Sequence, residues 1–170
     1  MSGETPRLPR SANPQLTLEL APEPGFEREN FVVSGSNEQA YAMIELWPDW
    51  PDPMLLILGP PGAGKSHLGA IWATMSKAGV QSAVSLAAAD IEQLAAMGPL
   101  LLEDADAIGA AEAELFHLVN LMRERGTPLA ITAKTPPDSW GLRTADLLSR
   151  LRLAPAVAIG TPDDALMRAV

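Results

Sequence analysis

The stretch Gly59-Pro60-Pro61-Gly62-Ala63-Gly64-Lys65-Ser66 decides the fold of this chain. It fits G-x-x-x-x-G-K-[ST], the spacing of a phosphate-binding P-loop. Glycines let the backbone curl until successive N–H groups point inward at an anion, and the helix that follows adds its positive dipole end. In such loops the lysine contacts the β- and γ-phosphates and the serine hydroxyl binds Mg²⁺. We therefore expect a nucleotide on residues 59–66, with Lys65 on its phosphates and Ser66 on the metal.

The residues on both sides of the loop alternate between strand and helix patterns. Short apolar runs predict strands at 54–58, 81–86, 100–102, 128–132 and 156–159. Helical spacing predicts helices at 36–46, 66–75, 88–96, 111–125 and 144–151. This alternation favours an α/β fold with a five-stranded parallel sheet between helices. Ligands of such sheets bind at the carboxyl ends of the strands, where the P-loop lies.

Composition limits the classes of function. The 170 residues are 47% hydrophobic, which suits one domain with a sizeable core. The net charge is −9 and the basic residues are scattered, so direct DNA binding is not expected. There is no cysteine, as in a reducing compartment such as the cytoplasm, and no disulfide or thiolate metal site is expected. No apolar run reaches membrane-spanning length and no signal-peptide core is present, so no membrane association is expected.

The chain divides into two regions of different composition. Residues 1–29 contain five prolines and little apolar periodicity, which predicts a flexible N-terminal arm. Residues 30–170 have a globular pattern and form the predicted nucleotide-binding domain. Within that domain, residues 47–53 read Trp-Pro-Asp-Trp-Pro-Asp-Pro, cannot continue the helix before them, and predict a rigid connector.

An acidic pair, Glu103-Asp104, closes the third apolar run, where the Walker B acids of a P-loop protein fall. One carboxylate holds Mg²⁺ and the next orients the attacking water, but the usual order places an aspartate first. Two assignments remain open: Glu103 on the metal with Asp104 beside the water, or Asp104 on the metal with no catalytic group at Ala105. Either assignment predicts weak intrinsic hydrolysis.

Arg150 is a further candidate, at the end of the predicted helix 144–151. A guanidinium there can neutralise the charge that spreads over a transferring phosphoryl group bound on a neighbouring molecule. From the pattern alone, a surface arginine is the simpler interpretation.

The chain from Asn30 onward resembles the AAA+ base domain of the bacterial replication initiator DnaA and, more closely, the family of its regulatory paralogue Hda. Four segments carry the resemblance: Asn30-Phe31-Val32-Val33 with Asn37, Gly64-Lys65-Ser66-His67-Leu68, Ile131-Thr132-Ala133-Lys134-Thr135-Pro136-Pro137, and Leu148-Ser149-Arg150-Leu151. The connector at 47–53 and Leu-Glu-Asp-Ala-Asp at 102–106 look like the alphaproteobacterial form.

The resemblance implies a role for each matching position. Its nucleotide is ADP or ATP with Mg²⁺; residues 31–33 (Phe31, Val32, Val33) wrap the adenine, and His67 follows the P-loop into the pocket. Lys134 takes the sensor 1 position, where the family has a short polar side chain, and Arg150 takes that of the arginine finger. The helical lid of the family, with its sensor 2 arginine, does not follow before Val170, so we expect a base domain without a lid.

The arm carries a second resemblance. Gln15-Leu16-Thr17-Leu18-Glu19-Leu20 is similar to the peptide that docks on the sliding clamp of the bacterial replicase. An extended segment can insert Leu16, Leu18 and Leu20 into an apolar groove while the Gln15 amide fixes its register. The alternative, a short amphipathic core strand, fits the pattern as well, but the Hda family carries its clamp motif in this arm.

These resemblances imply a regulator of replication initiation whose partners are the sliding clamp of DNA polymerase III and DnaA, and which stimulates hydrolysis of DnaA-bound ATP through Arg150. An autonomous AAA+ ATPase resembling a helicase loader is one alternative. A non-enzymatic adaptor bound to the clamp is another. Self-association stays open.

Overall fold

The computed structural model describes residues 27–161. The clamp motif at 15–20 and nearly all of the predicted arm lie outside the described residues. The five strands are β1 Met54–Leu58, β2 Gly79–Ser82, β3 Leu100–Glu103, β4 Leu129–Ala133 and β5 Ala156–Ala158. The five helices are α1 Glu38–Leu46, α2 Lys65–Ser76, α3 Ile91–Ala96, α4 Glu112–Arg125 and α5 Ala145–Leu153, with short 3₁₀ turns between some of them.

All strands pair in parallel, in the order β2-β3-β4-β1-β5, which confirms the predicted five-stranded parallel sheet. Leu58, at the end of β1, is in register with Ala133 of β4 and Ala158 of β5. The turns after β1, β3 and β4 therefore meet at one edge of the sheet. The P-loop, Asp104 and Lys134 all start from this carboxyl edge.

Side chains of the central strands alternate between the two faces of the sheet and are apolar on both. Helices therefore cover each face. On one face, Leu56, Leu102 and Ile131 pack with apolar residues of α3, α4 and α5. On the other face, Leu55, Ile57 and Leu101 pack with α1 and α2. The helix that begins at the P-loop and the helix that carries Arg150 therefore lie on opposite faces.

The predicted strand at 81–86 is correct only at residues 81 and 82, because the observed strand β2 covers residues 79–82. The strand ends at Ser82, which pairs with Glu103 at the end of β3, and residues 83–88 form a 3₁₀ helix. Ala83 and Leu86 are its buried residues, and their spacing of three fits one face of a 3₁₀ helix. The next helix begins at Ile91, later than predicted, because the Asp90 side chain accepts a hydrogen bond from the Gln93 N–H and caps it there.

The first described residues already pack against the domain. Arg28 donates hydrogen bonds to Glu45 and to the Tyr41 hydroxyl on α1, so packing onto the domain begins before residue 30. None of the helices between residues 27 and 161 combines the length and the apolar character needed to cross a bilayer.

Candidate functional site

An open cavity of about 680 Å³ lies at the carboxyl edge of the sheet, over the P-loop. It brings together side chains from the turns after β1, β2, β3 and β4, which are separated in sequence by up to 73 residues (134 − 61). Its lining residues are Pro61, Gly62, Gly64, Lys65, Ser66, His67, Ser82, Val84, Asp104, Asp106, Ala107 and Lys134.

Three positions of the P-loop require glycine, two because of their backbone angles and one because of the space available. Gly62 and Gly64 adopt left-handed backbone angles, with φ of 76° and 105°, which side chains with a Cβ rarely adopt. At Gly59 the reason is space, because a Cβ there would lie 2.7 Å from the Ile159 carbonyl oxygen. The buried Ala63 fills the inside of the turn. The loop thus has the backbone shape in which N–H groups converge on an anion.

Lys65 is buried at the start of α2, and its ammonium donates a hydrogen bond of 2.9 Å to the Pro60 carbonyl within the loop. Burial lowers the pKa of Lys65, and the charges of Asp104 and Asp106 oppose that shift. The next residue, Ser66, is exposed and lines the cavity. Within residues 27–161 the loop carbonyl is the hydrogen-bond partner of this buried ammonium, which is therefore well prepared to bind an anion.

Of the acidic pair, only Asp104 faces the cavity. Glu103 is the last residue of β3, is half-buried and is not among the lining residues. Asp104 follows in a left-handed conformation, with φ of 58°, and its N–H donates to the Thr132 hydroxyl at 3.2 Å. This backbone turn directs Asp104 toward the loop that carries Lys65 and Ser66. Of the two assignments left open by the sequence, the geometry favours Asp104 as the acid next to Mg²⁺.

Asp106 belongs to the same cavity and was missed from the sequence. Its Oδ1 accepts a hydrogen bond of 2.9 Å from the Lys134 N–H, which ties the turn after β3 to the turn after β4. Lys134 itself is exposed and lines the cavity, and its charge acts on Lys65. The Lys134 ammonium pairs with neither Asp104 nor Asp106 within residues 27–161. It is therefore available to a phosphate.

Replacing Asp106 by alanine is expected to lower the free energy of unfolding by about 1 kcal/mol, because the Lys134 N–H loses its acceptor. Urea unfolding of the two proteins measures the difference. Asp106→Asn, which keeps an oxygen at the same place, is the matched control and should stay near the wild-type value. Equal losses in both variants would mean that the carboxylate charge, and not the hydrogen bond, stabilises the turn.

The segment expected to wrap the adenine, residues 31–33, lies beside the P-loop, but its side chains do not line the cavity. The Phe31 ring stacks on Tyr41 with centroids 5.4 Å apart and meets the His67 ring edge-on at 5.0 Å. The His67 Nε2 lies 2.9 Å from the Glu27 carbonyl oxygen. Val32 and Val33 are exposed, and neither they nor Phe31 line the cavity described above. Their contact with a base stays a prediction.

Arg150 lies outside the cavity, on α5. Its guanidinium donates a hydrogen bond to the Asn120 side chain and lies 5.7 Å from the centroid of the Phe116 ring, both on α4. Among residues 27–161 it has no carboxylate within ion-pair distance, whereas Arg152 on the same helix pairs with Asp138. The positive charge of Arg150 is thus oriented by an amide and a ring, and it is not neutralised.

The start of the helix that carries Arg150 is held by Glu112. Its Oε1 accepts the N–H groups of Thr144, at 2.6 Å, and Arg143, at 2.7 Å, just before α5. These hydrogen bonds, that from Thr144 above all, lower the pKa of Glu112 below its ordinary 4.5. A carboxylate with a lowered pKa adds stability above the pKa of the unfolded chain, and that stability is lost as the pH falls through the folded value.

We therefore expect wild type to unfold at a higher temperature than Glu112→Gln at neutral pH, the difference to shrink as the pH falls below about 4.5, and to vanish below the lowered pKa of the folded Glu112 carboxylate. Thermal unfolding followed by circular dichroism across this range measures it. Glu124→Gln changes an exposed glutamate of the same helix whose side chain makes no hydrogen bond within residues 27–161, and should show no such dependence. A difference for Glu112→Gln that is constant with pH would contradict the assignment.

Comparison with solved structures gives the class of the fold. DnaA from Aquifex aeolicus bound to AMPPCP matches with a TM-score of 0.72 at 23% identity, over 85% of this chain and 52% of that one. A replication initiator DnaA bound to AMPPCP and single-stranded DNA matches with 0.70 at 22%, over 80% and 50%. The FIGL-1 AAA domain matches with 0.58 at 17%, over 79% and 55%. The chain has the fold of an AAA+ base domain, as predicted.

The likeness to DnaA is one of fold, and the chain spans about half the length of those DnaA structures. No protein-family model and no curated protein sequence matches it significantly.

Proposed function

We propose that this AAA+ protein regulates replication initiation. It binds a nucleotide in its own cavity, is tethered to the sliding clamp by its arm, and supplies Arg150 to ATP bound on DnaA. The observation that carries the proposal is the position of Arg150, which is outside the cavity of its own chain and free of any carboxylate within residues 27–161. An arginine placed in this way can stabilise phosphoryl-transfer charge only in a second molecule.

Support for the nucleotide comes from the cavity itself. Two ammonium groups, Lys65 and Lys134, and one exposed hydroxyl, Ser66, line the same space. Asp104 adds a carboxylate, so Ser66 and Asp104 together offer the oxygen ligands that Mg²⁺ prefers. A DnaA structure with the same fold holds AMPPCP, an ATP analogue. We infer that the cavity binds ADP or ATP with Mg²⁺, which Ser66 and Asp104 would hold and which would supply positive charge to the phosphates.

Intrinsic hydrolysis is expected to be weak. In the favoured assignment Asp104 serves the metal, Ala105 follows it as a buried residue, and Asp106 is bound to the Lys134 N–H. Among the described residues that line the cavity, Asp104 and Asp106 are the carboxylates, and both already have these other roles. The nucleotide of this chain is then a regulatory ligand, and the reaction takes place on the partner. Rapid turnover by the chain alone would favour the autonomous ATPase instead.

The tether is tested by capture of the chain on immobilised sliding clamp. Gln15→Ala/Leu18→Ala removes the amide and a central leucine of the motif and should abolish capture. Thr17→Ala/Glu19→Ala changes the two residues between the leucines, whose side chains lie opposite the leucines when the segment is extended, and should be captured like wild type. Failure of the wild-type chain to bind would remove the clamp from the proposal.

A further inference from the structure

The connector between α1 and β1 repeats the triplet Trp-Pro-Asp, over residues 47–49 and 50–52. Its two rings are fixed from behind by the fully buried Trp72. Trp50 stacks on Trp72 with centroids 5.2 Å apart and donates its indole N–H to the Met43 carbonyl, and Trp47 meets Trp72 edge-on at 6.4 Å. Both rings are half-buried, so each keeps a rigidly held surface that solvent can reach.

These rings line a groove of about 170 Å³ at the amino edge of the sheet, where β1 and β4 begin, opposite the nucleotide cavity. Pro48, Pro51, Pro53 and Pro128 supply most of the remaining apolar lining. Carboxylates flank it: Asp52 lines the groove and lies 3.5 Å from Arg123, and Asp49 is exposed with no ion pair within residues 27–161. Grooves built from aromatic side chains recognise proline-rich segments, and nearby carboxylates favour basic ones.

The chain contains a segment of this chemistry in the part that the structure does not describe. Pro6-Arg7-Leu8-Pro9-Arg10 has two prolines and two arginines, each pair spaced by three. In a polyproline II helix, with three residues per turn, the prolines lie along one edge and the arginines along another. The Trp-Pro-Asp repeat has the same period. We infer that residues 6–10 dock in the groove of their own chain, with the prolines against Trp47 and Trp50 and the arginines beside Asp49, which is unpaired within the described part of the chain.

The connection is long enough for this. Sixteen residues, 11–26, separate Arg10 from Glu27, whose carbonyl lies by His67 near the start of α2. Extended, they reach about 50 Å, whereas a compact domain of this size has a radius of gyration of about 14 Å. Tethering gives the segment an effective concentration in the millimolar range, so a contact too weak for two separate molecules is still occupied.

The inference does not depend on the proposed function, because it concerns only the arm and the groove of this chain.

Quenching of tryptophan fluorescence by acrylamide in the full chain tests the docking. Trp72 and Trp140 are buried, so the quencher reports on Trp47 and Trp50. Pro6→Ala/Pro9→Ala should raise the quenching constant about twofold, because the tethered segment no longer covers the rings. Pro22→Ala/Pro24→Ala removes two prolines of the same arm outside the segment and should match wild type.

Charge is tested separately with Asp49→Asn, which is expected to raise the quenching constant as Pro6→Ala/Pro9→Ala does. Equal constants for wild type and Pro6→Ala/Pro9→Ala would overturn the inference. A wild-type constant that changes with chain concentration would also overturn it, because the occupant would then be the arm of a second copy.

Discussion

Arg150→Ala is expected to reduce the stimulation of ATP hydrolysis on DnaA by about 10³–10⁵-fold, the range that an arginine finger supplied in trans contributes in GTPases. The physical reason is the loss of a positive charge that Asn120 and Phe116 orient without neutralising it, and that we propose acts on the ATP of DnaA. The measurement is the rate of ADP formation on DnaA in the presence of clamp and DNA, with wild type or variant added.

Arg152→Ala is the matched control for this experiment. It removes an arginine from the same helix, two residues away, but one that pairs with Asp138 on the surface. Exposed ion pairs contribute little to stability, so this variant should fold and stimulate hydrolysis normally. Equal activity of the Arg150→Ala and Arg152→Ala chains would reject Arg150 as the finger.

Lys65→Met is expected to weaken nucleotide binding by this chain by about 10–100-fold, since hydrogen bonds to a charged group contribute about 1.5–3 kcal/mol. Methionine keeps the apolar stem in a buried position, and it removes a charge whose burial is unfavourable. The fold should therefore persist. Titration of a fluorescent ADP or ATP analogue gives the two dissociation constants.

Lys77→Met controls for the loss of one positive charge at the opposite end of the same helix. Lys77 is exposed and follows the far end of α2, away from the P-loop. Its loss should leave nucleotide affinity unchanged. If both variants bind nucleotide as wild type does, the cavity over the P-loop is not the binding site.

The parts of the site that follow from the sequence are those set by local geometry. The spacing of Gly59, Gly64 and Lys65 specifies a loop between a strand and a helix, whichever strand lies beside it. Glu103 and Asp104 are identified in the same way. An apolar run that ends in acidic residues can be recognised without knowing which strands lie beside it.

Asp106 could not be found in this way. Its hydrogen bond to the Lys134 N–H joins positions 28 apart, and they meet only because β3 pairs with β4. Nothing local to residues 104–106 gives that strand order. The sequence did hold a weak signal, since Asp104 and Asp106 alternate directly after a strand.

The end of β2 was missed for a related reason. Residues 83–86 are mostly apolar and predict a longer strand, but its partner β3 ends at Glu103, so the ladder stops at Ser82. Strand length is set by pairing, which a single run of residues does not report. The burial of Ala83 and Leu86 is satisfied equally well by one face of a 3₁₀ helix.

We propose that ATP is hydrolysed on the partner DnaA and not in the cavity of this chain. The most direct measurement is a single-turnover assay in which labelled ATP is bound to DnaA beforehand and the regulator carries unlabelled ADP. The account predicts that the DnaA-bound label is converted to ADP far faster when clamp, DNA and this chain are added. An unchanged rate on DnaA, together with rapid turnover of ATP by this chain alone, would contradict it.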